Sequence, residues 1–356
     1  MQRYQVNYRL LTGLAVGVLT AAPAIYGLWW FQVNRNATRL LAQADAAEAE
    51  GDPRLVFENL SQYVRLRRSE DDAQRRLGHA SVELFKVKDL EVQERSEAYF
   101  ALIEAVERTD DDKLRRELVD IHMAAGYLDR AIDAIDALVE AGKGDAKLLA
   151  LKAKCLYYTQ RGADATQLSY ELIGYDPKTK TFDESKGRAP HEAEVYLDLA
   201  RYLLSTNQRD FATEVANQLV KVNPESREAF LFQYQLHKAL GEKEAARTAL
   251  DQAFKLDPHD AGVLQAMGQE RIADYQTAMA EANDAGDEAG DAEARRAAAD
   301  KFLDEAGQFF SEGMERYPEN INFYEHTARI AMYRERADEA LRIAEQGLKK
   351  FDMKAA

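Results

Sequence analysis

RDFATEVANQLVKVNPESREAFLFQYQLHKALGEKEAARTALDQAFKLDP, residues 209–258, holds the pattern that decides the fold. Apolar side chains return every three or four residues, which is the spacing of one buried helix face. Pro224 and Gly241 break the stretch where helices end. Ala212 and Ala246 stand 34 residues apart, and so do Pro224 and Pro258. Outward from this stretch, alanines in equivalent short motifs fall at Ala131, Ala165, Ala212, Ala246, Ala306 and Ala340, with separations of 34, 47, 34, 60 and 34. Pro177, Pro224, Pro258 and Pro318 are separated by 47, 34 and 60. Two residue types thus follow one irregular series, a 34-residue period with insertions of 13 and 26. A fixed period of this size marks an array of stacked supersecondary units.

Eight units are counted, at 37–70, 71–111, 112–145, 146–179, 193–226, 227–260, 261–320 and 321–354. Each is read as helix, turn, helix. The repeated alanine sits where the second helix crosses the first, and a larger side chain there would push the helices apart. Gly78, Ala153, Ala200, Gly268 and Ala328 take the matching place on the first helix. Gly51, Gly126 and Gly241 fall in the turn, where a left-handed C-cap favours glycine. A 34-residue unit with these markers resembles the tetratricopeptide repeat, over most of the chain from Ala37 to Asp352. The first two units fit least well: Val56 replaces the crossing alanine in unit one, and unit two has an insertion near Lys86 to Glu97 and no terminal proline. In unit six Gln233-Tyr234 replaces the family's usual Leu-Gly pair. The resemblance implies an all-α fold, a right-handed superhelical solenoid of about eight units.

An N-terminal segment precedes the array. After a tail of residues 1–9, residues 10–33 read as a transmembrane helix. The 22 residues from Leu10 to Phe31 carry no charge. At about 1.5 Å each they reach roughly 33 Å, enough for a hydrocarbon core of about 30 Å. Tyr4 and Tyr8 precede the span and Trp29 to Phe31 close it, like interfacial aromatic belts. Ala22-Pro23-Ala24 offers the competing reading of a signal-peptide cleavage site, but the apolar run continues beyond it. Arg3 and Arg9 before the span balance Arg35 and Arg39 after it, so charge leans only slightly towards an extracytoplasmic array. Gly13, Gly17 and Ala21 form a small-residue stripe that would let the anchors of two copies pack as a homodimer.

The 356 residues include 47 Lys and Arg against 62 Asp and Glu, a net charge of −15, which opposes binding to nucleic acid. Cys155 stands alone, so disulfide frameworks and cysteine-rich metal sites are excluded. His191-Glu192-Ala193-Glu194 fails the HExxH pattern in its last residue, and Gly142-Lys143-Gly144-Asp145 reads as a turn at a repeat boundary rather than a phosphate loop. Asp110-Asp111-Asp112 lacks the ligand spacing of a calcium loop and sits where carboxylates favour a helix N-terminus. No catalytic, cofactor or metal residue is expected, and an enzyme is not expected. Residues 178–190 are read as a polar surface loop. Residues 281–299, without an aromatic or large aliphatic residue, are read as a loop or an exposed helical extension.

The family resemblance implies a concave groove lined by the first helices. Carried onto this chain, its inward places hold Arg75, Arg116, Lys147, Lys154, Tyr157, Arg201, Gln235, Lys238, Gln269 and Arg329. Such a basic and amide row suits an extended peptide with acidic side chains. The plain alternative is that these residues solvate helix faces. The expected function is a membrane-tethered scaffold or adaptor that binds a partner protein or peptide in this groove. The alternatives are a self-assembling structural component of a membrane complex and a non-catalytic subunit of an enzyme complex. Against adhesion through the end of the array, the last helix is expected to expose Arg342, Lys349 and Lys350 as a solvated cap.

Overall fold

The computed structural model describes the backbone of residues 8–284 and 289–355 and the side chains of residues 25–283 and 294–350. Most of the helices succeed one another as hairpins. They are α1 (Tyr8–Glu50) with α2 (Pro53–Leu66), α3 (Asp71–Phe85) with α4 (Val92–Arg108), and α5 (Asp112–Ala124) with α6 (Leu128–Glu140). Then come α7 (Ala146–Tyr158), α8 (Gly162–Ile173), and α9 (Ala193–Ser205) with α10 (Arg209–Val222). The last are α11 (Arg227–Leu240) with α12 (Lys243–Leu256), α13 (Ala261–Asp284) with α14 (Ala289–Arg316), and α15 (Ile321–Tyr333) with α16 (Ala337–Ala355). The chain divides into two compact units, 1–160 and 161–356. The division falls between α7 and α8, through the fourth repeat counted in the sequence.

Local chemistry sets the helix starts. Asp52 accepts hydrogen bonds from the Arg54 and Leu55 amides ahead of α2, where Pro53 needs no amide partner. Ser226 and Asn320 do the same for α11 and α15. The turns inside the hairpins need a left-handed residue. Gly126 and Gly241 supply it, with φ of +74° and +80°. Gln160, Asn207 and Glu335 take up the same conformation at equivalent places, with φ of 61°, 61° and 59°. Outside glycine this conformation costs about 1–2 kcal/mol, part of which glycine gives back through its freer unfolded chain. Glu335→Gly is therefore expected to stabilise the second unit by ~0.5–1 kcal/mol, read as a higher midpoint in thermal unfolding.

Each core is built on small residues at crossings. Ala131, Ala165, Ala212 and Ala306 are fully enclosed, and Ala246 and Ala340 are buried. A Cβ added at Gly78 would come within 2.7 Å of Ala105 and Leu114. In the first unit Leu60, Leu84, Leu102, Leu114 and Leu138 are fully enclosed. In the second, Tyr196, Phe310 and Phe323 are the largest such side chains.

The 178–190 loop holds more regular structure than the sequence reading implies, and the described parts of 281–299 take the helical form it offered. Residues 178–190 belong to a packed motif. Strands β1 (Tyr175–Asp176) and β2 (Thr181–Phe182) pair antiparallel, and a short 3-10 helix follows at Glu184–Lys186. Tyr170, Tyr175, Phe182 and Phe211 pack around Tyr175 as tilted rings, with centroids 4.7–4.9 Å apart. The motif closes on α8 through the Ala189 amide to Leu172 O at 2.8 Å. Gly174 has φ +72° and could carry no side chain, since a Cβ would fall 2.1 Å from Asp183 O. In the 281–299 region, helix runs to Asp284 and resumes at Ala289. Ala282 and Ala299 are buried despite their size, because alanine faces let α13 and α14 approach closely.

The expected membrane segment at residues 10–33 lies mainly on residues 1–24, outside the described side chains, as do Gly13, Gly17 and Ala21. Among the described residues no helix is long and apolar enough to cross a membrane, so the structure does not show the anchor. At the near end of α1, Ile25, Tyr26, Leu28, Trp29, Trp30 and Phe31 are all exposed. The last helix departs from the expected polar cap. Arg342, Lys349 and Lys350 are exposed, but so are Leu341 and Leu348, because Ala340 and Gly347 take the face that packs inward.

Candidate interaction faces

In the first unit the expected groove arginines join successive repeats. Asp111 caps α5 by accepting from the Lys113 and Leu114 amides. Its second oxygen lies 3.7 Å from Arg75 Nε and 3.0 Å from His79 Nε2, both on α3. Asp145 caps α7 through the Leu148 amide at 2.9 Å and holds Arg116 of α5 at 2.6 Å. Burial raises the Asp111 carboxyl, but the Leu114 amide and His79 outweigh it and hold it below its ordinary range. The Leu148 amide, with help from Arg116, lowers Asp145. Arg75 also pairs with Asp72, and Arg116 donates to Lys143 O. Lys147 is exposed, whereas Lys154 and Tyr157 are half-buried on α7.

A cavity of about 580 Å³ opens beside α3 where the α1–α2 turn meets it. Val56, Leu60, Ala80 and Val87 give it an apolar floor, and Glu48, Glu83, Arg76, His79 and Lys86 give it a rim of both signs. Arg76 bridges back to Asp45 and Glu48 of α1 at 2.7 and 3.1 Å. This volume is typical of pockets that seat a ligand group. Its sequence signal was Val56, the departure from alanine at the crossing place of unit one, which leaves an apolar side chain on the cavity floor.

In the second unit the expected residues again meet carboxylates or rings. Lys238 Nζ donates to Glu270 Oε1 at 2.6 Å and to the Tyr234 hydroxyl at 2.7 Å, and that hydroxyl donates to the same Glu270 oxygen at 2.9 Å. Burial pushes the Tyr234 hydroxyl up to about 12. Tyr234 thus departs from the repeat pattern to tie α11 to α13. Arg201 pairs with Asp198 at 3.2 Å and lies over the Phe232 ring, and Arg329 pairs with Glu325 at 2.5 Å. Gln269 Nε2 meets His326 Nε2 at 3.0 Å, and Gln235 is exposed. Arg227 of α11 repeats the capping link, 2.6 Å from Asp260, which itself accepts from the Gly262 and Val263 amides. Of the ten expected groove residues, Arg75, Arg116, Arg201, Lys238 and Arg329 oppose carboxylates of the chain itself.

Among the described residues no group of three His, Cys, Asp or Glu side chains could hold a metal ion. Cys155 is fully enclosed, its sulfur 3.0 Å from Met123 Sδ, and burial pushes its thiol up to about 11. Asp110 and Asp112 pair with Arg115, and Asp112 also with Lys143.

His122 and His326 are buried, one in each unit. His122 Nε2 lies 3.1 Å from the Tyr99 hydroxyl, which accepts from Arg130. His326 stacks on Phe310 with centroids 4.9 Å apart. Burial lowers both imidazoles below their ordinary value of about 6.5. The unfolded chain therefore takes up protons first, so this contribution is complete above about pH 6.5 and declines as pH falls through it. Urea midpoints are expected to drop between pH 7.5 and 5.5. His326→Gln should flatten that slope for the second unit, and an unchanged slope would count against the histidine as its source.

With this geometry in view, residues 235–260 can be compared with known families. They match the family model of the tetratricopeptide repeat. The match covers the C-terminal part of α11 and all of α12, and the all-α helix hairpins around it are tetratricopeptide-like. No curated protein matches the chain in sequence. Among solved structures, that of MamA is similar over 57% of this chain and 96% of its own, at 17% identity and a TM-score of 0.38. A tetratricopeptide repeat protein from Parabacteroides merdae is similar over 84% and 99%, at 12% identity and 0.48. YrrB, a tetratricopeptide repeat protein with an unusual peptide-binding site, is similar over 62% and 93%, at 16% identity and 0.35.

Proposed function

We propose that this chain is a membrane-tethered adaptor that holds a segment of a partner protein against its first unit. The observation that carries the reading is the 580 Å³ cavity beside α3, with its apolar floor and rim of both charges. A peptide with one apolar anchor flanked by polar residues suits it. A purely acidic ligand is less favoured than the sequence suggested, because most of the basic row already faces carboxylates. Preformed helix hairpins bind such a segment at little ordering cost of their own. The exposed Ile25 to Phe31 run on α1 supports the tether, because an apolar row of this kind belongs in lipid or against protein rather than in water. Tethering would raise the partner's effective concentration at the membrane surface.

The test is capture of partners from detergent-solubilised membranes by the wild-type chain, by Val87→Asp, and by Lys154→Glu/Arg201→Glu. Val87 is half-buried at the cavity. Val87→Asp is expected to reduce capture at least tenfold, a cost of about 1.4 kcal/mol or more, while the double charge reversal leaves it within twofold. The opposite result would move the site to the basic row. Capture unchanged in both would overturn the groove reading. The tether is tested separately: the full chain should stay with the membrane through a high-salt wash, and a chain lacking residues 1–33 should not.

A further inference from the structure

The solvent side of α16 carries an apolar seam with spacings of four, three and four: Ala337, Leu341, Ala344 and Leu348. Leu341 is 61% exposed and Leu348 54%. The inward face is separate. Ala340 and Gly347 are buried, and a Cβ at Gly347 would lie 2.8 Å from Tyr324 Cβ of α15. Alternating steps of three and four residues form the seam by which two helices pack side by side.

Four exposed charges run beside this seam in the order Asp338, Arg342, Glu345, Lys349. None of the four makes an ion pair with another described residue. The order acid, base, acid, base becomes base, acid, base, acid when the helix is reversed. Two copies of α16 lying antiparallel therefore bring Asp338 alongside Lys349 and Arg342 alongside Glu345, twice over. The same arrangement sets Leu341 against Ala344 and Ala337 against Leu348, large on small. Parallel pairing in register would set like charge alongside like charge, which is unfavourable.

We infer that the covering partner of α16 is a second copy of this chain, with the two helices antiparallel across the Leu341–Leu348 seam. This goes beyond the adaptor reading and does not depend on it, since the surface lies in the second unit and the partner cavity in the first. The seam is short, so the pairing is weak in dilute solution, and confinement to a membrane would strengthen it.

The test uses the full chain with single cysteines at Asp338→Cys or Lys349→Cys and a short bis-maleimide. Cys155 is enclosed and its thiol is pushed up to about 11, so the wild type is the unreactive control. Antiparallel pairing predicts a covalent dimer when the two variants are mixed, and at least tenfold less from either alone. Adding Leu341→Glu/Leu348→Glu to both should abolish it with no change in helix content, because both leucines are exposed. As much dimer from either variant alone as from the mixture would overturn the antiparallel arrangement. No dimer in any mixture would overturn the self-pairing and leave α16 to another partner or to solvent.

Discussion

Phe310→Ala is expected to destabilise the second unit by ~3–5 kcal/mol, the usual cost of emptying a large aromatic site in a packed core. Phe310 is fully enclosed on α14. Its ring occupies the space left by a missing side chain on α13, for a Cβ at Gly268 would come 2.4 Å from Phe310 Cζ. On another side it stacks on His326 of α15. The cavity would thus open where three helices meet, and none of them can close it alone. Urea unfolding followed by far-UV circular dichroism should show the second unit melting at much lower denaturant. A loss under about 1 kcal/mol would mean that the ring is not the wedge between these helices.

Ala212→Arg should be at least as damaging. Ala212 is fully enclosed at the start of α10, and arginine there must either part the helices or bury a charge without a partner. Overpacking costs about 1–3 kcal/mol and an unpaired buried charge several more, so loss of the folded second unit at 37 °C is the expected result. Ala212→Gly removes one methyl group and should cost only about 1 kcal/mol. A similar loss from both would place the sensitivity in α10 itself rather than in the crossing. Soluble yield and the thermal midpoint of the two variants separate these cases.

The repeat was legible because crossing residues and helix stops leave marks that do not depend on surroundings. Alanine is required at a close approach wherever it occurs, and proline stops a helix in any context. Gln160 and Glu335 were not legible as turn residues, since side chains of their type rarely adopt a positive φ and nothing announces it. The short strand pairing at the 178–190 surface loop was not legible because its order comes largely from aromatic residues outside the polar run: Tyr170, Tyr175 and Phe211. Spacing found the expected groove residues but not their partners. Arg75 and Asp111 are far apart in the sequence, and only the stacking of α3 on α5 shows that the guanidinium has a carboxylate of its own. The cavity beside α3 was missed for the same reason, as its walls come from two repeats that fit the pattern poorly.

Asp111, Asp145 and Asp260 each begin one helix and grip an arginine from the repeat before. The start of one repeat is therefore conditional on the presence of its predecessor. In polymer terms, a single side chain carries a nearest-neighbour coupling, and a row of such side chains behaves as a zipper rather than as beads on a string. Fraying from an end must release a helix cap and an ion pair together at each of these junctions. Such junctions resist local opening more strongly than hairpin packing alone would, and a break at one of them travels to the repeat that follows.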